Sequence, residues 1–475
     1  MSFSEDYLND NYETNFDEEE VKSKINICRG HIDSGNTFAH IDLIEDVIQY
    51  CLEYDFIDDG LYLADSLLKI VPYNSEAWQY KGILLNNTFK FDEAYHCFDN
   101  SLALNPNDIE TYINKSIAED NLGMFSEAVA SLLKALEIEP DDEEIFFSLG
   151  MIYMKKEKFP EAVEYFNKAI QADPEYLEAW YELGFCYENM DQFDKALNAY
   201  DKYLEFDPNN FTGWYNKGIV YLRIEQFEKA IDCLELSIAL KDDFSSSWFN
   251  VGYSYSKVGR ISDALDSYKK AYDLDPFDET VLFNMGQIYE EIDSLPHALR
   301  CYTGAINLDA EYYEAYLARG YCYDLVGKYQ LALKDFNKAV TLTNDPEEAW
   351  FAIADFEYSL GNLQESISNY LKTVEFNKNN FNAWFKLAET YTEVGLWLEG
   401  LKSYDECIRI DSLHANSFYG KAKINFLLGR TQDAIECLRT AFELDPNIKS
   451  KFSKDYPEVK TSKLFMKLLD ENKTK

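Results

Sequence analysis

Residues Glu143 to Tyr176 read EEIFFSLGMIYMKKEKFPEAVEYFNKAIQADPEY. The stretch holds two short amphipathic runs, each apolar at helical spacing. Phe146, Leu149, Gly150 and Tyr153 share one stripe, Ala162, Phe166 and Ala169 share the other, and Pro174 closes the unit. Moved on by 34 residues, the same spacing returns as Trp180, Leu183, Gly184, Tyr187, Ala196, Tyr200 and Pro208. A fixed period of this length marks a repeat array. It overrides the roughly two to four globular domains that the length alone would suggest, because a stacked array needs no single large core.

The frame runs without insertion from Ile41 to Ile448, in twelve windows beginning at Ile41, Ser75, Ile109, Glu143, Leu177, Phe211, Ser245, Glu279, Tyr313, Glu347, Phe381 and Ala415. From the second window on, position 4 is Trp78, Tyr112, Phe146, Trp180, Trp214, Trp248, Leu282, Tyr316, Trp350, Trp384 and Phe418, aromatic at all but one. Position 8 is small, glycine or serine from Gly82 to Gly320 and then Ala354, Ala388 and Ala422, as a close helix crossing requires. Position 20 is small for the same reason, from Ala94 to Ala434. Proline at position 32 (Pro72, Pro106, Pro140, Pro174, Pro208, Pro276, Pro446) ends the second helix, because it cannot continue the hydrogen-bond ladder. The first window, 41–74, is degenerate: Ile44, Val47 and Ile48 keep the stripe, but position 8 is Ile48 and position 20 is Gly60. Its helices are therefore open to a different packing.

This pattern resembles the tetratricopeptide repeat (TPR) over residues 41–448. The resemblance implies an all-α fold, a helix–turn–helix repeat solenoid wound as a right-handed TPR superhelix, with a concave groove lined by the first helix of each repeat. Residues 1–16 read as an acidic disordered N-terminus. Residues 17–40 read as an N-terminal capping helix, with Asp17 as N-cap ahead of Glu18–Glu20. Residues 449–475 read as a C-terminal capping helix and basic tail, in which Pro457 opens a helix whose Val459, Leu464, Phe465 and Leu468 cover the last repeat.

Composition narrows the function. Hydrophobic residues at 47% and aromatics at 16% belong to a folded chain, and the net charge of −42 argues against nucleic acid, which needs Lys and Arg to displace counterions. It argues equally against anionic lipid. Nine dispersed cysteines without a CxxC pair, and no apolar run of membrane length, point to a soluble cytoplasmic protein with reduced thiols. Catalysis is not expected. There is no GxxxxGK[ST] loop, GxSxG elbow or HExxH helix, and the five histidines show no metal spacing. No cofactor is therefore expected, and nothing in the residues sets the oligomeric state.

Binding has positive signals. Positions 2, 5, 6, 9, 12 and 13 of the first helix escape the packing stripe. Position 5 is Phe147, Tyr181, Tyr215, Phe249, Phe283, Leu317, Phe351, Phe385 and Tyr419, and position 9 adds Met151, Phe185, Ile219, Tyr253 and Tyr321. These rings either line a partner groove or pack against the next repeat. Position 6 places Asn216, Asn250 and Asn284 in three consecutive repeats, after Asn114. Such a row of amides can pair with the backbone of an extended peptide. The carboxylate-clamp TPRs that take chaperone C-termini need Lys and Arg in the groove. Here position 2 is Glu76, Glu110, Glu144, Glu178, Glu314 and Glu348, so that ligand is disfavoured. Glu119 and Glu357 replace the usual tyrosine at position 11, each exposed by a local adjustment or else touching a ligand. The cations at position 7 (Lys81, Lys115, Lys217, Arg319, Lys421) are expected to snorkel, leaving their charge wet. The sequence thus points to a non-catalytic scaffold that binds a peptide segment of a protein partner in the groove. The alternative is a regulatory or assembly subunit that meets a basic partner through an acidic convex face.

Overall fold

The structure is a computed structural model that describes residues 18–456. The acidic stretch 1–16, Asp17 and the helix expected from Pro457 lie outside the described residues. Between Ile41 and Leu444 every window folds alike. The first helix fills positions 1–13 and the second positions 17–30, from Ile41–Glu53 and Ile57–Ile70 in repeat 1 to Ala415–Leu427 and Thr431–Leu444 in repeat 12. No strand occurs among the described residues. The architecture is an all-α repeat solenoid. The chain divides into two compact units, Met1–Lys241 and Asp242–Lys475, which carry repeats 1–6 and 7–12.

The hairpin closes on one contact. Position 24 of the second helix is a fully buried ring in Phe98, Phe166, Tyr200, Tyr302, Phe336 and Tyr370. In most of these repeats the ring lies on the glycine at position 8. A methyl group on Gly82, Gly150, Gly286 or Gly320 would come within 2.5 Å of ring carbon of Phe98, Phe166, Tyr302 or Phe336. The small residue at position 8 varies: Ser116 faces Leu132, Ala422 faces Leu438, Gly218 faces Leu234 and Ala354 faces Tyr370. Repeat 1 reverses the arrangement rather than abandoning it. Ile48 supplies the bulk at position 8, Ala64 is small at position 24, and Gly60 lets Leu84 and Cys51 approach to 3.0 and 3.1 Å of where its Cβ would lie.

The junctions between repeats repeat a second pattern. Position 34 caps the following helix: Asn74, Asp108, Asp142, Asn210 and Asn380 accept from the N–H three residues on. The position-4 indole then reaches back over the helix break. Trp78, Trp180, Trp214, Trp248 and Trp384 each donate Nε1–H to the carbonyl of position 32, at 2.9–3.0 Å. That carbonyl lies two residues beyond the last helical residue, so the indole ties the turn to the following helix. At the termini, Val21, Ile25 and Cys28 of the helix Glu18–Asp33 join the core of repeat 1. Ile448 and Phe452 of the helix Asn447–Asp455 pack with Tyr419 and Phe442 of repeat 12.

Position 15, in the turn between the paired helices, is left-handed in all twelve repeats, and in six of them it is not glycine. Phe89 is one of these, at φ 60° and 81% exposed. A β-carbon there costs about 1–2 kcal/mol. Phe89→Gly should therefore raise the stability of the chain by about 1 kcal/mol, after the entropy glycine adds to the unfolded state. Denaturant unfolding with an unchanged slope would show it, and a loss of stability would mean that the exposed ring is doing more than occupying a turn. Gly150→Ala should cost about 1–3 kcal/mol by overpacking. Adding Phe166→Leu, the pairing that repeat 12 uses, should recover part of that loss. Strictly additive losses would show that the methyl does not meet the ring.

Candidate functional site

Within each unit the second helix of a repeat packs on the first helix of the next, and neighbouring first helices touch directly. The first-helix faces therefore join. The Asn216 amide donates to the Tyr181 hydroxyl at 2.8 Å, Tyr358 donates to Glu393 at 2.5 Å, and Arg223 Nη1 donates to the Glu188 carbonyl at 3.0 Å, each pair one repeat apart.

The rings at position 5 sit on this face with one side committed. Phe147 lies 5.6 Å from Phe166, Phe249 5.6 Å from Tyr268, Phe283 5.7 Å from Tyr302, Phe351 5.8 Å from Tyr370 and Phe385 5.9 Å from Tyr404, always against the position-24 ring of its own repeat. Tyr181 touches Tyr200 and Tyr203. Three rings are covered again from position 34: Phe147 by Tyr176 at 5.2 Å, Phe283 by Tyr312 at 5.0 Å and Phe385 by His414 at 5.2 Å. Tyrosine at position 34 gives up the helix cap to do this, whereas His414 manages both, accepting from the Ser417 N–H.

The outcome for the remaining site residues is graded. Phe147, Met151, Tyr181, Tyr215, Asn216, Phe249, Asn250, Tyr253, Phe283, Asn284, Phe351 and Phe385 are half-buried, and Phe185 is exposed. Tyr419 is buried instead: its hydroxyl donates to Asp455 at 2.7 Å and Phe452 lies against its ring, so the chain's own C-terminal helix covers it. The asparagines do not form one ladder. Asn250 and Asn284 each donate to the carbonyl four residues back, at 2.9 and 2.8 Å, while Asn216 turns to Tyr181. What Asn284 turns away from its own helix backbone is its amide oxygen, an acceptor.

Two expectations need correction. The position-7 cations are not left to water. Lys81 pairs with Asp65 at 2.7 Å, Lys115 with Asp99 at 2.5 Å, Lys217 with Asp201 at 2.6 Å and Lys421 with Asp405 at 2.5 Å. The acid is always sixteen residues back, at position 25 of the preceding second helix. Arg319 makes a paired bond to Asp335 in its own repeat and donates to Thr303, which holds position 25. Burial alone would lower the Lys217 ammonium, yet the bond and charge of Asp201 raise it. The second correction concerns position 11. Glu119 and Glu357 are neither exposed nor aimed at a ligand. Both are buried, Glu119 accepting from Ser131 at 2.7 Å beside Lys115, and Glu357 accepting from Asn362 at 2.6 Å.

Sequence reasoning passed over Glu182, at position 6 of repeat 5. It is half-buried, and burial pushes its carboxyl up to about 7. Among the described residues no His/Cys/Asp/Glu group could hold a metal ion, and no helix is long and apolar enough to cross a membrane. Burial pushes the Cys51 and Cys186 thiols up to about 12, which keeps them protonated and unreactive.

Paired helices at a fixed period, half of the pairs closed by a ring on a glycine, define an α-helical repeat protein. The chain is a tetratricopeptide-repeat protein. The family model described as the cilia and flagella-associated protein 70 C-terminal domain matches residues 147–348, a TPR repeat model matches 121–157, and a tetratricopeptide repeat model matches 415–448. No curated relative is matched. Similar solved structures include MamA from Desulfovibrio magneticus RS-1, 23% identical over 36% of this chain and 97% of that one, with a TM-score of 0.35. YrrB, described as a TPR protein with an unusual peptide-binding site, is 23% identical over 39% of this chain and 95% of its own, with a TM-score of 0.33. The APC/C hetero-tetramer Cut9–Hcn1 is 14% identical over 90% and 95%, with a TM-score of 0.38.

Glu182 offers a test by pH. Its folded value near 7 stands above the ordinary 4.5, so the native state holds a proton that the unfolded chain has released, and stability falls as pH rises through that window. Glu182→Gln should therefore be more stable than the parent by about 1–3 kcal/mol at high pH and indistinguishable below the ordinary carboxyl value. Urea unfolding on both sides of the window measures this. Equal stability throughout would mean that the charged carboxylate is well solvated in the native state.

Proposed function

We propose that this chain is a non-catalytic interaction scaffold that holds a peptide segment of a partner protein along the face of its first helices. The observation that carries this is a set of half-buried rings in each unit, Phe147, Tyr181 and Tyr215 in the first and Phe249, Phe283, Phe351 and Phe385 in the second, each left partly open. Rings fixed in this way lose little entropy on binding and supply anchoring area. The exposed Phe185 adds a further anchor to the first-helix face of the first unit, and Asn284 adds an acceptor to that of the second. Tyr419 lies outside the binding surface, under the C-terminal helix. The protein acts in the cytoplasm, and its partner is a protein rather than nucleic acid or membrane.

Substitutions must spare the packing side of the rings. Phe185→Ala with Asn216→Ala in the first unit, and Phe249→Leu with Asn284→Ala in the second, leave the position-8 contacts alone. Loss of a central anchor costs about 1–3 kcal/mol, so affinity capture should recover at least fivefold less of the partner. Helical circular dichroism should stay unchanged. Recovery equal to that of the parent would remove the first-helix face as the site. Recovery that these substitutions leave unchanged but added salt abolishes would transfer binding to the acidic outer surface.

A further inference from the structure

In repeats 3–5 of the first unit, position 2 is Glu110, Glu144 and Glu178, and Glu182 follows one helical turn after Glu178. Every cation on the first helices of repeats 3–6 is already engaged. Lys115 is held by Asp99 at 2.5 Å, Lys155 by Asp120 at 2.6 Å, Lys217 by Asp201 at 2.6 Å and Arg223 by Asp191 at 2.6 Å. None of these four cations is bonded to Glu110, Glu144, Glu178 or Glu182. Glu110 and Glu144 lie close enough to oppose one another: burial and then the charges of Asp142, Glu110 and Glu143 raise Glu144.

Glu182 departs from how this chain treats its deep acids. The four buried carboxylates all have a donor: Glu119 has Ser131, Asp120 has Lys155, Asp335 has Arg319 and Glu357 has Asn362. Glu182 is half-buried with no hydrogen bond or ion pair among the described residues, and burial is the only influence on its titration. A carboxylate taken from water with nothing to meet it is costly unless a cation arrives. Beside it on the same helix stand Tyr181, whose hydroxyl is engaged by Asn216, and the exposed Phe185. Aromatic faces next to a carboxylate suit the stem and charge of lysine or arginine, through cation–π attraction and a charge-assisted hydrogen bond.

We propose that the first-helix face of repeats 3–6 receives a basic segment of the partner, with a lysine or arginine pairing to Glu182 beside Tyr181 and Phe185. This rests on the groove reading and gives its occupant a chemistry. The test is the fluorescence anisotropy of a labelled peptide of alternating lysine and alanine, titrated with the full chain at physiological ionic strength. Glu182→Gln should weaken binding by about tenfold, the loss expected for one charge-assisted bond. Glu161→Gln and Glu228→Gln, which make the same charge change on exposed second-helix positions, should shift it less than about twofold, as screened charges do. A Glu182→Gln effect no larger than these controls, or no binding by the parent chain, overturns the proposal. If Phe185→Ala with Asn216→Ala weakens binding while Glu182→Gln does not, the groove reading survives and the basic occupant falls; if neither weakens it, both fall. A second probe is the peptide of residues 457–475, which carries five lysines against three acids. Tighter, Glu182-dependent binding of that peptide would assign the face to the chain's own tail and overturn a foreign partner.

Discussion

A ring resting on a backbone without a side chain is the contact on which everything else in this protein depends. Two helices of a hairpin approach closely where one of them presents little or no side chain at the crossing. Gly150 under Phe166 and Gly286 under Tyr302 meet that condition, and the buried ring then occupies the space that the approach creates. The crossing fixes where the first helix points, and so which of its residues are turned away from the core. Serine, alanine and leucine exchange roles at the two positions, and repeat 1 inverts them with Ile48 and Ala64. With Gly218 opposite Leu234 and Ala354 opposite Tyr370, what holds throughout is that one of the two positions is small.

The position-5 rings follow from this contact. Phe147, Tyr181, Phe249, Phe283, Phe351 and Phe385 each lean on the position-24 ring of their repeat, which makes them both packing and surface residues. Phe147, clamped between Phe166 and Tyr176, is mostly the former, and Phe185, four residues on from Tyr181, is mostly the latter. The two readings of the ladder are thus two sides of the same side chains.

Helix limits, caps and crossings were legible because each is set inside one window. Pro174 ends a helix wherever it stands, and Asp142 caps the next one through an N–H three residues away. What stayed hidden was set between helices. Glu119 looked like a misplaced charge because Ser131 reaches it from the second helix, beside Lys115, only once the hairpin has closed. Tyr419 looked like its equivalents because nothing in its own repeat shows that Asp455 and Phe452 return to cover it. Glu182 is the same kind of case, since its isolation is a property of its neighbours in space. The lysines at position 7 were readable in principle: Lys81, Lys115, Lys217 and Lys421 each have an aspartate sixteen residues earlier, and that recurrence is present in the letters.

Those lysine–aspartate pairs also mean that the repeats are not interchangeable bricks. Each pair is split between neighbours, with the acid supplied by one unit and the base by the next, so adjacency is encoded as a lock and its key. Excising repeat 5 would bring Lys217 opposite Asn167, an amide already donating to Val163, and leave a largely sheltered ammonium without its counterion. A junction such as repeat 4 to repeat 5, with Leu183 at position 7, carries no such lock. The order of the array is thus written at particular seams, and recombination or duplication would be tolerated at the uncharged ones before the charged ones.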